Sequence, residues 1–215
     1  MKNIPKTTIA RLSLYLKCFS ELCDLKVNFI SSQELAKLIG LNSAQVRKDL
    51  SYFGKFGRRG VGYNVENLRQ QISEILGTHK IWNVGIIGIG NLGRALLSYS
   101  GFKQRGFKIV AGFDIAPEKI GWEIEGINIY SINELEKIIK KEKIEIIILT
   151  IPKEAMFEVI NKLRKTNIKG ILNFAGKYLV GEENFKIRNV DISLELEQLT
   201  FFIKNVSCSS SSEIS

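Results

Sequence analysis

Histidine is almost missing from this 215-residue chain: His79 is the only one. That excludes a histidine-based metal cluster and a catalytic histidine pair. The cysteines Cys18, Cys23 and Cys208 are odd in number and lack metal-ligand spacing, which argues against a disulfide framework. Cys18 falls on the apolar face of a predicted helix, and with Cys23 it reads as core packing. No apolar run is long enough to span a bilayer. The opening MKNIPKTTIARL lacks the apolar core of a signal peptide, so the expected compartment is the cytoplasm. Acids are scarce at one end only. Residues 1–80 hold 13 Lys and Arg against 6 Asp and Glu, a net of +7, whereas residues 81–215 hold 18 against 16, a net of +2. A solubilising surface would spread its charge along the chain. A basic segment beside a nearly neutral one points to a polyanionic partner for the first alone.

What is present is organised in two halves. Apolar content of 45% and charged content of 25% are those of an ordinary folded protein. Thr7 to Cys23 reads as a helix, with Ile9, Leu12, Leu16 and Phe19 at helical spacing. Ser31 and Glu34 form a capping box before a short helix that stops at Gly40, and Ser43 starts another, running to about 53. Helix, tight glycine turn, helix is the outline of a helix-turn-helix. In the last of these helices Val46, Leu50 and Phe53 share one side, while Ala44, Arg47, Lys48 and Ser51 fall opposite. A small, basic outer face of this kind fits a major groove. The following stretch, Gly54 to Tyr63, sets Lys55, Arg58, Arg59 and Gly60 among glycines, the composition of a short wing laid against DNA backbone. A fourth helix is expected over Asn67–Leu76 and a linker over 77–80.

From Trp82 the pattern becomes alternating strands and helices, the signature of a parallel sheet. Strands are predicted at 82–87, 108–113, 127–130, 144–150 and 170–174. Helices are predicted at 91–104, 131–142, 153–165 and 193–204, and residues 207–215 read as a disordered tail. Gly88-Ile89-Gly90-Asn91-Leu92-Gly93 is a G-x-G-x-x-G run that follows an apolar strand and opens a helix. Such a loop holds a pyrophosphate against backbone amides. The next strand ends at Asp114-Ile115, 21 residues after Gly93, where an acid meets the adenosine ribose; a carboxylate there favours NAD(H) over NADP(H). Thr150-Ile151-Pro152 and Asn173-Phe174 sit at the ends of later strands and would line the nicotinamide side. No acid–base constellation stands out, and only some forty residues follow position 176, too few for a substrate domain. Enzyme activity is therefore not expected. A small NAD-dependent oxidoreductase and a regulator that binds coenzyme A remain the alternatives.

These segments together resemble the Rex family of redox-sensing transcriptional repressors. The likeness is carried by IPKTTIARLSLY, SAQVRKDLSYFGKFGRRGVGYNV, GIGNLGRAL, AGFDI, ILTIP, NIKGILNFA and VDISLELEQL, from Ile4 to about Asn205. It implies an α/β fold with an N-terminal winged helix over residues 1–78 and a Rossmann domain over 79–192. A C-terminal helix over 193–206 would be exchanged between the subunits of a homodimer. It implies binding to palindromic operator DNA, with NADH and NAD+ as competing ligands that are not consumed. Release of the operator by NADH would give repression that follows the NADH/NAD+ ratio. Arg47 and Lys48 match the recognition helix, and 55–60 match the wing. Arg11, Tyr99 and Asp191 match contacts that switch between redox states, the Tyr and Arg pairing with the Asp of the other subunit. Ile192 stands where some relatives carry Phe.

Overall fold

The computed structural model describes residues 4–54, 56, 57 and 61–209. The chain separates into two units, Met1–Ile81 and Trp82–Ser215.

In the first unit α1 (Lys6–Asp24) packs against α4 (Val65–Leu76), and α2 (Ser32–Leu38) against α3 (Ser43–Ser51). The Ser31–Glu34 capping box is formed and starts α2. Asn42 starts α3 by accepting the Ala44 N–H, and Gly40 makes the turn between them with φ +66°. Two short strands, β1 (Phe29–Ile30) and β2 (Tyr63–Asn64), pair antiparallel, so the segment leading into α4 is fastened to the one leading into α2. Leu12, Phe19, Leu35, Val46, Leu50, Val65, Leu68 and Ile72 fill the core.

The seam of α1 differs from the one its apolar residues predict. Thr8, Leu12, Tyr15 and Phe19 are buried, while Ile9 is exposed and Leu16 only partly covered. The reason lies on α3. Asp49 is fully buried and accepts bonds from Arg11 Nε (2.5 Å) and Nη2 (2.7 Å), Tyr15 Oη (2.7 Å), Gln45 Nε2 (2.8 Å) and Thr8 Oγ1 (3.2 Å). Polar residues of α1 turn inward because a buried carboxylate needs them.

The second unit is a doubly wound sheet. Its strands are β3 (Trp82–Ile87), β4 (Phe107–Asp114), β5 (Glu123–Ile124), β6 (Ile127–Ser131), β7 (Ile146–Leu149), β8 (Gly170–Asn173) and β9 (Lys186–Asn189). The order is β5-β6-β4-β3-β7-β8-β9, parallel throughout except for the β5–β6 pair. Without β5 this is the Rossmann order, reversing direction between β3 and β7. Side chains alternate between two cores. Ile87, Ile147 and Leu149 pack with α6 (Leu135–Lys141) and α7 (Met156–Leu163). Val84, Ile86 and Ile148 pack on the other face with Leu97 of α5 (Asn91–Leu97). Burial on both faces is why these strands read as unbroken apolar runs.

Four features depart from the sequence expectation. The helix predicted over 91–104 stops at Leu97, and a 3-10 segment follows over Ser100–Arg105, because Ser98-Tyr99-Ser100-Gly101 is a run of weak helix formers. Strand β5 is only two residues long. Strand β9 is a charged edge strand, KIRN, with no apolar alternation to announce it. The final helix, α8 (Ile192–Ser209), runs three residues into the stretch read as a disordered tail; 210–215 lie outside the described residues.

Asp49→Ala is expected to destabilise the first unit by about 3–5 kcal/mol, since it strands Arg11 and the Tyr15 hydroxyl beside a cavity. Hydrogen exchange should accelerate in α1 and α3 and stay unchanged in β3, β4 and β7. Burial alone would raise the Asp49 pKa, but the bonds from Arg11, Tyr15 and Gln45 and the Arg11 charge outweigh it and hold it below the ordinary carboxylate value. Because the folded pKa is the lower one, this contribution is complete above about pH 4 and is lost as pH falls through the folded value. Wild type should therefore lose stability in that acid window and Asp49→Asn should lose less, as thermal melts across pH would show.

Candidate DNA-binding face and dinucleotide crevice

The outward side of α3 carries Ala44, Arg47, Lys48 and Ser51, all exposed, with Ser43 half-exposed at its start. Val46, Asp49 and Leu50 point inward. The inward anchor fixes the rotation of the helix and therefore which side chains face out. Arg47 Nη1 donates to Ser32 Oγ at 3.0 Å, which steers its guanidinium towards the start of α2. Ser51 Oγ donates to the Lys48 carbonyl at 2.7 Å. The wing residues Lys55, Arg58, Arg59 and Gly60 lie outside the described residues.

In the second unit the glycine loop follows β3 at the point where the sheet order reverses. The Gly88 N–H donates to Phe113 O at 2.8 Å. Thr150 Oγ1 donates to the Gly88 carbonyl at 2.7 Å, and the Thr150 N–H to Ile87 O at 2.9 Å. The ends of β3, β4 and β7 are thus tied together. A Cβ on Gly93 would lie 2.0 Å from the Gly88 carbonyl oxygen, and one on Gly88, at φ +97°, would lie 2.7 Å from the Thr150 carbonyl oxygen. Both glycines are demanded by the protein's own packing. Gly90 is different. Its φ is −81° and a Cβ there would meet nothing within 4 Å, so open space lies before the first turn of α5. Gly90 begins that helix without a side-chain cap, leaving its first amides to face the space. Asn91 and Leu92 are exposed beside it. A pyrophosphate fits this cradle.

Asp114 is only 7% exposed. Its Oδ2 accepts the Ile89 N–H (2.7 Å) and Lys119 Nζ (3.0 Å), and its Oδ1 accepts the Ala116 N–H (2.9 Å). Burial works against the charge, but Ala116, Lys119 and Ile89 outweigh it and lower the pKa, so the group is a carboxylate at neutral pH. Ile115, next to it, is 73% exposed. Ile151 is half-buried and Pro152 exposed after β7. Asn173 is buried and committed. Its Oδ1 accepts the Ala175 N–H and its Nδ2 donates to Lys177 O and Asn189 Oδ1, so it shapes the loop that carries half-buried Phe174.

The residues matching the switch are held locally. Arg11, expected to meet Asp191 of a partner, is bonded to Asp49, because a buried carboxylate in its own unit takes the nearest cation. Asp191 caps α8, accepting the Ser193 N–H (2.9 Å) and Oγ (2.8 Å). Tyr99 is exposed and meets Phe102 edge-on at 5.0 Å. Sequence reasoning missed Asp49 and Lys119. Asp49 sits three residues after Val46 and one before Leu50 on the apolar side of α3, and an acid on that side requires a cation. Lys119 gave no such signal. Among the described residues no three His, Cys, Asp or Glu gather into a metal site, and no helix is long and apolar enough to cross a membrane.

Residues 3–51 match the family described as "Putative DNA-binding protein N-terminus", and 79–176 match the one described as "CoA binding domain". The chain is 44% identical over 203 residues to Redox-sensing transcriptional repressor Rex 1 of Thermotoga maritima, covering 94% of this chain and 97% of that one. It is also 44% identical to the Rex repressor of Streptomyces coelicolor, over 93% and 78% of the two chains. Among solved structures it is similar to the Rex-family repressor RSP bound to β-NAD+ and operator DNA (TM-score 0.88, 34% identity, 100% of both chains). It is likewise similar to RSP bound to β-NADH (TM-score 0.86, 33% identity, 98% and 99%).

The two kinds of glycine separate in a simple experiment. Gly93→Ala should lower the melting temperature of the second unit, because backbone must move to admit the methyl group. Gly90→Ala should leave stability within about 0.5 kcal/mol of wild type while weakening dinucleotide binding measured by calorimetry. Equal effects of both substitutions on stability would show that Gly90 is also held by packing.

Proposed function

The chain belongs to the Rex family of redox-sensing transcriptional repressors, and from that premise we propose that it senses the NADH/NAD+ ratio. It binds palindromic operator DNA in the cytoplasm as a homodimer and releases it when NADH is bound. As a member of this family it is a repressor and not an enzyme. The observation that carries the reading is the pairing in one chain of an outward small, basic face on α3 with a glycine cradle at the switch point of a Rossmann sheet.

Ser43, Ala44, Arg47, Lys48 and Ser51 would enter the major groove, with Lys55, Arg58, Arg59 and Gly60 of the wing on the backbone. Gly88 and Gly90 to Gly93 would hold the pyrophosphate and Asp114-Ile115 the adenosine ribose. Thr150, Ile151, Pro152, Asn173 and Phe174 would border the nicotinamide. The bound group supplies a ring that is neutral when reduced and cationic when oxidised. Ile151 and Phe174 offer that ring an apolar wall, and burying a cation there without a partner costs free energy. The crevice therefore favours the neutral ring, and a dimer state built around it gains population when NADH is abundant. If that state spaces the two α3 helices wrongly for half-sites one DNA turn apart, operator and NADH exclude each other reciprocally.

Helix α8 supports the dimer. Ile192, Leu194, Leu196, Leu199, Phe201, Phe202 and Ile203 are each 51–64% exposed on their own chain, an apolar load suited to a second copy. The expected division at 78, 192 and 206 belongs to the same proposal. Tyr99 and the partner's Asp191 would meet across that dimer, with Asp49 competing for Arg11.

The test is a palindromic duplex selected by this chain from a random pool and followed by fluorescence anisotropy. NADH should release it at concentrations where NAD+ and coenzyme A do not. Release by coenzyme A alone would favour the coenzyme A alternative, and hydride transfer to small carbonyls would favour an oxidoreductase. Affinity should fall steeply with salt as counterions are released. Arg47→Ala or Lys48→Ala should cost about 1–3 kcal/mol if each meets a base. Unchanged affinity in the double variant would remove α3 from the interface.

A further inference from the structure

One side chain of α3 belongs neither to its buried side nor to its outward one. Gln45 is half-buried, and it lies on the edge between them, about 100° round the helix from Ala44 and about 60° from Lys48. Its Nε2 donates to Asp49 Oδ1 at 2.8 Å, one turn further on. A glutamine amide can face either way, and its partners decide which. Asp49 is fully buried and, with Arg11 bonded to it, is held as a carboxylate. A carboxylate only accepts hydrogen bonds, so the amide nitrogen must face Asp49 and Oε1 must face away. An amide has two N–H donors and one carbonyl acceptor, and Asp49 takes a single donor. Among the described residues Gln45 makes no other side-chain hydrogen bond, and no buried side-chain oxygen or nitrogen lacks a partner. Oε1 is therefore open to solvent, and one N–H is unspent.

Gln45 is the third residue of α3, in the turn of a recognition helix that comes nearest to base edges. In the major groove adenine shows an N7 acceptor beside an N6 donor, the complement of a glutamine amide, whereas guanine shows two acceptors, N7 and O6. We propose that Gln45 is a further specificity-determining residue for the operator: with its amide oriented by Asp49, it accepts from adenine N6 through Oε1 and donates its remaining N–H to adenine N7. The proposal rests on the operator reading above and deepens it, adding a base-reading residue to the outward set and naming the base. Asp49 supplies the discrimination from within the core. An amide that has already given one N–H to a carboxylate cannot donate twice, so it cannot satisfy both acceptors of guanine. The network of Arg11, Tyr15 and Thr8 around Asp49 thus ends at the groove, in a side chain whose acceptor and donor are assigned before DNA arrives.

Fluorescence anisotropy with the full chain and the palindromic duplex it selects tests this atom by atom. Each adenine of the half-site is replaced in turn by 7-deazaadenine, which lacks N7, and by purine, which lacks the 6-amino group. At one adenine per half-site each replacement should weaken wild-type binding by about tenfold, within the range of a bidentate base contact. Gln45→Met keeps a similar length and removes the amide. It should bind the parent duplex more weakly and be indifferent to both replacements at that adenine, while keeping the wild-type response at the others. A purely structural role for Gln45 would weaken the parent duplex and leave the response to the replacements as it is in wild type, which overturns the proposal. A selected duplex with no adenine whose replacement weakens wild type also overturns it, whether or not the variant folds; in both cases the operator reading stands. If wild type selects no duplex at all, that reading and the proposal fall together.

Discussion

A single buried carboxylate decides how the first unit presents itself. Asp49 cannot be left unpaired in an apolar core, so Arg11, Tyr15, Thr8 and Gln45 converge on it. The consequence is a fixed rotation of α3 against α1. Apolar packing through Val46 and Leu50 is tolerant of small rotations, because dispersion contacts have little directionality. Charged hydrogen bonds are directional. With Asp49 locked inward, Arg47 and Lys48 are held outward on a rigid helix. In the proposed DNA complex, that rigidity would spare the ordering cost of a loosely held basic helix.

The second unit depends on a comparable constraint made of backbone. Gly88, Gly93 and Thr150 bring the ends of β3, α5 and β7 so close that no side chain fits between the two glycines. The same closeness leaves Gly90 facing open space. Tight packing on one side of the loop thus goes with open space on the other. Asp114 joins the arrangement by bonding the Ile89 N–H, which ties the end of β4 to the glycine loop.

The electrostatics of the two units follow their tasks. A net +7 in residues 1–80 suits a polyanion that is gripped and released with its counterions. The second unit is nearly neutral, and at the end of β4 its carboxylate Asp114 is paired with a single lysine, Lys119. Nearly all of a dinucleotide's contacts are shared by its two redox states, so a discriminating site must keep those contacts constant and vary only what meets the ring.

Much of this was legible in the chain. The capping box at Ser31–Glu34, the turn at Gly40, the exposed set Ala44, Arg47, Lys48 and Ser51, and the strand–glycine loop–helix at 82–93 all follow from local chemistry, because caps, turns and helical periodicity involve residues within a few positions of one another. The charge split and the acid closing β4 were equally readable. Tertiary structure alone decided that α1 buries Thr8 and Tyr15 in place of Ile9 and Leu16, that Arg11 bonds Asp49, that Asn173 is spent on its own loop, and that Lys119 pairs with Asp114. Each of these is a pairing of polar groups brought together by folding, and hydrophobic periodicity carries no information about which distant donor a buried acceptor will find.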